Sequence, residues 1–128
     1  MLLTYKYLKE HILIWMMAVF VSNIVIEQGF DFSSTFQLED TVTNDFLDLT
    51  DYTVESKLRK TYTSSTSVSF SIIIGTPTSG QISVSLTPSQ TAELKEGRYV
   101  YDVKATRPDG NVIKVIEGSA LVRPGVTR

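Results

Sequence analysis

Apolar and polar residues alternate along most of this chain, with the period of two that is typical of a half-buried β-strand. The pattern is strict between Gln81 and Leu86, where Ile82 and Val84 alternate with serine. Glycine and proline fall between such runs, as expected for turns, and no long helix-like segment separates the runs. A βαβ fold is therefore disfavoured, and the alternation predicts an all-β domain.

The spacing of the runs predicts a particular kind of all-β fold. We expect an antiparallel, immunoglobulin-like β-sandwich of about seven or eight strands, with a small β-barrel as the alternative. A hairpin is expected around 75–80, where two glycines flank Thr-Pro-Thr-Ser, and a tight turn is expected at 108–110.

One short helix interrupts the predicted strands. Thr87, Pro88 and Gln90 have the spacing of a capping box with proline in the first helical position. We therefore expect a single helical segment over 88–94 that crosses between the sheets and does not fill the core.

The inventory of reactive side chains is small. The chain has 128 residues, a formal net charge of −2, no cysteine and one histidine, His11. Without cysteine there is no disulfide framework, thiolate metal site or cysteine nucleophile. A Ser-His-Asp arrangement cannot be assembled in the body of the chain, because His11 lies near the N-terminus. We expect no enzyme, no catalytic residue, no metal and no cofactor, and the slightly acidic charge argues against nucleic-acid binding.

The N-terminal segment differs in composition from the rest of the chain. It is rich in Leu, Ile, Met and Trp and carries two lysines before an apolar run over 12–21. This run is shorter than the roughly 20 residues that span a bilayer, but it suits the apolar region of a secretory signal. Three interpretations stay open: a dispensable extension upstream of a start at Met17, a signal or anchor, and a genuine helix. The predicted organisation is an extension over 1–16 and one domain over 17–128.

An acidic cluster invites a calcium interpretation. Asn44, Asp45, Asp48 and Asp51 place oxygen ligands of the right chemistry in one connection between strands. Their spacing is not that of an EF-hand, and Asn and Asp also cap turns in such connections. We therefore expect turn capping.

A basic cluster lies on the outward face of the next predicted strand and just after it. It consists of Lys57, Arg59 and Lys60, with Tyr62 nearby. Contact with phosphate or nucleic acid is one interpretation. At a net charge of −2, a solvated strand face that discourages edge pairing is favoured.

Two tyrosines lie in the most regular of the predicted strands, over 97–106. Tyr99 and Tyr101 are candidates for a platform on which a sugar would stack. Because they alternate in phase with Val103, we expect buried rings whose hydroxyl groups reach a partner.

The terminal strands carry apolar residues on both faces, whereas a sandwich strand needs only one. The second face suggests cover by a neighbouring chain or by the N-terminal segment. The alternative is a β-bulge that switches the phase within a strand, and Gly118 is the expected position of a bulge or bend. The residues of the candidate interface are Val19, Val21, Val25, Val112 and Ile116.

Three blocks of the sequence resemble a family of small virion structural proteins of contractile-tailed bacteriophages, notably marine phages of cyanobacteria. The blocks are SNIVIEQGFDFSSTFQLED, LTDYTVESKLRKTYTSS and the closing LKEGRYVYDVKATRPDGNVIKVIEGSALVRPGVTR. The closing block is the most specific and is similar to immunoglobulin-like domains of phage tail and baseplate components. The residues that carry this similarity are Gly97, Tyr99, Tyr101, Asp102, Gly110, Glu117, Gly118 and Pro124.

The resemblance covers residues 17–128 and implies a non-enzymatic part of a virus particle. It implies a β-sandwich in the virion that contacts other virion proteins or copies of itself, as a homo-oligomer or as part of a larger assembly. No stable membrane span, cofactor or catalytic residue is implied. The alternative is a secreted or periplasmic immunoglobulin-like adhesion or carbohydrate-binding module that uses residues 1–21 as a signal.

Overall fold

The computed structural model describes residues 2–5, 20–40 and 45–128 of the chain. Within these ranges eleven strands form two sheets that enclose one apolar core. The prediction of an all-β, sandwich-like fold is therefore confirmed. No helix within these ranges is long and apolar enough to cross a membrane.

Sheet A contains five strands in the order β1-β4-β9-β8, with β5 paired to β4. Its strands are β1 Leu2–Tyr5, β4 Phe32–Asp40, β5 Asp45–Phe46, β8 Ser71–Ile74 and β9 Gln81–Leu86. Residues 2–5, which the sequence places in the extension, pair with β4. Residues 6–19 lie outside the described part, and the boundary at residue 17 stays a prediction.

Sheet B contains six strands in the order β2-β11-β10-β6-β7, with β3 also paired to β11. Its strands are β2 Phe20–Val21, β3 Ile24–Glu27, β6 Thr53–Arg59, β7 Val68–Ser69, β10 Gly97–Thr106 and β11 Val112–Arg123. The inward face that the alternation assigns to Tyr101 and Val103 is confirmed, since both are buried, and Leu58 and Ala120 of the neighbouring strands are buried as well.

The pairing is antiparallel in the body of both sheets but parallel at their N-terminal strands. Strand β1 runs parallel to β4, and β2 and β3 run parallel to β11. Parallel neighbours require a long connection, and nearly the whole domain lies between β3 and β11. The expectation of a purely antiparallel sandwich is wrong for these strands because alternation assigns faces and carries no information about strand direction.

The chain passes from sheet B to sheet A at Phe70. The sequence pattern over 68–74 suggests one strand, but β7 pairs with β6 and β8 pairs with β9. The Phe70 amide donates to the Ser56 carbonyl oxygen at 3.0 Å. The centroid of the Phe70 ring lies 6.0 Å from the ring centroids of Phe32 and Tyr101. The buried ring therefore sits at the corner where the two sheets meet.

The chain returns to sheet B through helix α1, Pro88–Glu93, which confirms the predicted crossover. The Gln90 amide donates to Thr87 Oγ1 at 3.2 Å, and the Thr87 amide donates to Gln90 Oε1 at 2.9 Å, so the capping box is formed. The buried Thr91 hydroxyl donates to the Phe30 carbonyl oxygen at 2.9 Å, which attaches the helix to the start of β4.

The turns fall where glycine and proline predict them. Pro77–Ser79 forms a 3₁₀ turn in the β8–β9 hairpin. Gly80 ends this turn with a φ of 68°, and a Cβ there would overlap the Leu38 carbonyl oxygen. Only glycine satisfies both requirements without strain.

Candidate interaction surfaces

One residue of the predicted interface lies in the core. Ile116 is 0% exposed, so its assignment to an exposed surface is wrong. The register between β10 and β11 shifts between Val103 and Lys104, which leaves Val115 as the extra residue of a β-bulge. Val115 and Ile116 both point inward as a result. The bulge alternative therefore explains the double apolar pattern of β11, and the bulge lies at Val115 and not at Gly118.

The other described members of the predicted interface are exposed but do not form one patch. Val21, Val25 and Val112 are 61%, 46% and 57% exposed. Val25 lies beside Leu121, nine positions along β11 from Val112, which corresponds to about 30 Å at the rise of a strand. Glu117, the cross-strand neighbour of Val21, lies on β11 between Val112 and the position beside Val25. Val19 lies outside the described residues, and an interface role for the exposed valines stays a prediction.

The edge formed by β2 and β3 is held in place by close backbone contact. A Cβ at Gly118 would overlap the Ser22 carbonyl oxygen. Tyr101, which is opposite Gly118 in the register, donates its hydroxyl to that same oxygen at 2.6 Å. Asn23 Oδ1 accepts from the Ser119 amide at 3.0 Å. The glycine thus makes room for the chain between the two short strands, and the tyrosine binds it there.

The outer face of sheet B carries both signs of charge. Lys104 Nζ lies 2.7 Å from Glu55 Oε1. Lys114 Nζ lies 3.3 Å from Glu117 Oε1 and 3.7 Å from Asp102 Oδ2. The hydrogen bond from Lys104 and its charge lower the pKa of Glu55, and the same contact raises the pKa of Lys104. Both groups are exposed, so this face is solvated and largely self-neutralised.

The tyrosines of β10 do not form an open platform for a sugar. Tyr101 is 4% exposed, and burial raises the pKa of its hydroxyl. Tyr99 donates its hydroxyl to the Lys95 carbonyl oxygen at 2.8 Å. The Lys60 ammonium lies 4.7 Å from the centroid of the Tyr99 ring and covers it. The prediction of partnered hydroxyl groups is confirmed for both residues. The prediction of a buried ring is confirmed for Tyr101 but not for Tyr99, which is half-buried.

The basic cluster of β6 makes contacts within the fold. Arg59 donates to the Ser64 carbonyl oxygen at 2.8 Å and thereby anchors the loop that follows β6. Lys60 lies over Tyr99, and Lys57 is the cross-strand neighbour of Asp102. These contacts agree with a solvated strand face.

The acidic cluster contains a turn cap at Asp48. Its Oδ1 accepts from the Thr50 hydroxyl at 2.6 Å and from the Thr50 amide at 3.0 Å, and these bonds lower the pKa of Asp48. Asp45 lies in the short strand β5, and Asn44 is outside the described residues. The described part of the chain holds no group of three or more side chains placed to bind a metal ion.

Two rows of side chains on the outer face of sheet A carry no charge across three strands, β4, β9 and β8. The first row is Ser33, Ser85 and Ser71, and the second is Thr35, Ser83 and Ile73. Gln37 and Gln81 form the next row, and Glu39 lies beyond them on β4. Thr35 and Ser83 share a hydroxyl–hydroxyl hydrogen bond of 2.8 Å. The apolar pattern does not identify this face. The available signal is the stretch 61–92, which contains no charged side chain.

Strand β8 forms a free edge of this uncharged face. Among the described strands it pairs with β9 alone. Its four residues contain no charge and no proline, which are common protections of edge strands. Ile73 is 61% exposed. By contrast, edge strand β3 of sheet B ends at Glu27, whose carboxylate accepts from Arg123 Nε at 2.9 Å.

Comparisons with known proteins find no matching family model and no matching curated protein. Among solved structures, an internalin-like protein of Listeria monocytogenes is similar with a TM-score of 0.45 and 18% identity over 82% of this chain. A family 123 glycoside hydrolase of Clostridium perfringens is similar with a TM-score of 0.39 and 13% identity over 97% of this chain. The chain spans 28% and 26% of the lengths of these two proteins.

Proposed function

We propose that this chain is a non-enzymatic bacteriophage virion structural protein that acts through protein–protein contacts in the particle. The resemblance of residues 17–128 to small virion proteins of contractile-tailed phages supports the setting. The reactive inventory supports the non-enzymatic role, since the chain has no cysteine and its single histidine is His11.

The observation that carries the proposal is the free, uncharged edge strand β8. An unprotected edge is a template on which another chain adds a strand. The centres of protein–protein interfaces are depleted of charged residues, and the outer face of sheet A beside β8 has none. The exposed Ile73 supplies an apolar group that a partner would cover.

Mass spectrometry of purified particles tests the proposal. Trypsin releases the peptides 99–104 and 115–128 from this chain, and we expect both to follow the particles through a density gradient with the known structural proteins. An abundant cytosolic host protein serves as the control for contamination. Peptides found in the cytosolic fraction and absent from particles would contradict the proposal.

N-terminal sequencing separates the proposed role from export. An end at Met17 or Ala18 agrees with an internal start and the virion role. A mature end near Ser22, in protein recovered from the periplasm or the medium, would instead support a secreted adhesion or carbohydrate-binding module.

A further inference from the structure

Strand β8 has the geometry to pair with a copy of itself. We propose that two chains associate through antiparallel pairing of their β8 strands about a two-fold axis at Ile73. Their A sheets then form one continuous sheet in the order β4-β9-β8-β8-β9-β4. This inference rests on the proposed function, because it names a second copy of this chain as the partner of the free edge.

The position of the axis follows from the faces of the side chains. Opposite residues in an antiparallel pair point to the same side of the sheet. An axis at Ile73 places the exposed Ile73 side chains of the two copies against each other, and it places Ile72 opposite Ile74 on the inner side. Ser71 then lies opposite Gly75, which has no side chain and no close neighbour to crowd it. An axis at Ile72 would instead leave Ile73 opposite Ser71.

Charge favours a second copy as the partner. No side chain in 61–92 is charged, so the two β8–β9 hairpins meet without like-charge contacts. Contact through the outer face of sheet B would require desolvation of the ion pairs of Lys104 and Lys114. Contact between two copies through the uncharged edge therefore has a lower desolvation cost than contact through the charged face of sheet B.

The contact is small, so the association between two isolated chains is weak. Pairing of two four-residue strands buries less than the roughly 1,200 Å² of the smallest stable interfaces. We expect a dissociation constant of about 0.1–1 mM. In a particle, other contacts hold neighbouring copies close together and raise the effective concentration at this edge.

Sedimentation velocity of the full chain at concentrations up to about 1 mM tests the association. Ile73→Lys opposes two ammonium groups across the axis and is expected to weaken dimerisation at least about tenfold. Ile73→Thr keeps a β-branched side chain and should weaken it less. Val126→Lys is the control, since Val126 is a 92% exposed valine outside both sheets and outside the predicted interface, and it should leave dimerisation unchanged.

Cysteine crosslinking tests the position of the axis. The chain has no cysteine, so Ile73→Cys introduces a single thiol that lies opposite its copy about 5 Å away between Cβ atoms. Mild oxidation is expected to yield a covalent dimer of Ile73→Cys, and Val126→Cys, with its thiol at an exposed position outside both sheets, should remain monomeric under the same conditions.

Three results would each overturn the inference: a wild-type chain that stays monomeric at about 1 mM, dimerisation that Ile73→Lys leaves intact in a folded protein, or equal crosslinking of the two cysteine variants. The outcomes separate this inference from the proposed function. Recovery in particles without β8-dependent dimerisation would retain the virion role and reject the self-pairing. Dimerisation through Ile73 by a chain that is absent from particles would do the reverse.

Discussion

The two sheets of this sandwich share one core, but their outer faces differ in charge. The outer face of sheet B is charged, and two of its lysines, Lys104 and Lys114, are paired with carboxylates within the molecule. The outer face of sheet A carries serine, threonine and Ile73 in two rows across β4, β9 and β8, and these two rows contain no charge. The difference teaches that exposed apolar residues can have contrasting surroundings, because the exposed valines of sheet B are scattered among charges and Ile73 lies among uncharged side chains.

The edges of the sheets differ in the same way. At the sheet B edge, Gly118, Tyr101 and Asn23 bind the chain between β2 and β3 through specific contacts. At the sheet A edge, β8 has a neighbour on one side among the described strands. Within the described residues, one edge is thus covered by contacts of the chain itself, and the other has no second neighbouring strand.

The largest expected effect distinguishes the buried isoleucine of sheet B from the exposed isoleucine of sheet A. Ile116→Ala removes a fully buried side chain, so we expect a loss of about 2–5 kcal/mol in the free energy of unfolding. Ile73→Ala should cost less than about 1 kcal/mol, because Ile73 is largely exposed. Urea unfolding at low protein concentration measures both. Equal losses would contradict the bulge that turns Ile116 inward.

The next effect concerns the glycine beneath the sheet B edge. Gly118→Ala forces a methyl group against the Ser22 carbonyl oxygen, and we expect a cost of about 1–3 kcal/mol. Gly75→Ala is the matched control at the end of β8, since its Cβ would lie 4.0 Å from Gln81 Oε1. Thermal unfolding of both variants gives the comparison. A harmless Gly118→Ala would mean that β2 and β3 are not bound as closely as described.

A smaller effect is expected at the tyrosine that reaches the same oxygen. Tyr101→Phe keeps the buried ring but leaves the Ser22 carbonyl oxygen without that donor, which should cost about 1 kcal/mol. Amide hydrogen exchange should increase in β2 and β3 more than in β8. Tyr62→Phe provides the control, because Tyr62 is an exposed tyrosine. Equal effects of the two substitutions would show that the hydroxyl of Tyr101 contributes nothing to the edge.

The smallest effect is the titration of the charged face. Lys104 lowers the pKa of Glu55 below its ordinary value of 4.5. The pair therefore stabilises the fold at a pH above that value, and this contribution is lost as the pH falls through the lowered pKa. In Lys104→Gln, NMR titration should place the Glu55 midpoint higher than in the wild type, whereas Lys95→Gln should leave it in place. An unchanged midpoint in Lys104→Gln would contradict the pairing.

Local sequence signals predicted much of the fold. The capping box at Thr87 and Gln90 located the helix, and glycine and proline located the turns. These features depend on residues that lie within a few positions of one another, so the helix start and the turns can be predicted from the sequence.

The candidate site was less accessible to sequence reasoning. The alternation in sequence predicts Ile116 as part of an interface. A β-bulge, which depends on the pairing of β11 with β10, changes the phase of β11 and turns Ile116 inward. Val25 and Val112 share the same alternating pattern in sequence. In the fold, Val25 of β3 lies beside one end of β11, and Val112 lies at the other end of β11. The stretch 61–92 was a usable signal for the uncharged face, although only the register shows that its serines and Ile73 align.

The amino-acid sequence by itself determined the all-β class, the turns, the helix and the inward face of most strands, because a period of two is a local property of an extended backbone. Tertiary structure decided which strands are neighbours, which run in parallel, where the chain changes sheets at Phe70 and which of the described strands has a neighbour on one side only. These features depend on contacts between distant residues, such as the hydrogen bond from Tyr101 to Ser22. Hydrophobic burial drives strands together without specifying their order. The register between neighbouring strands, which decides that Val115 is buried and Val112 is exposed, therefore forms only when the whole chain is packed.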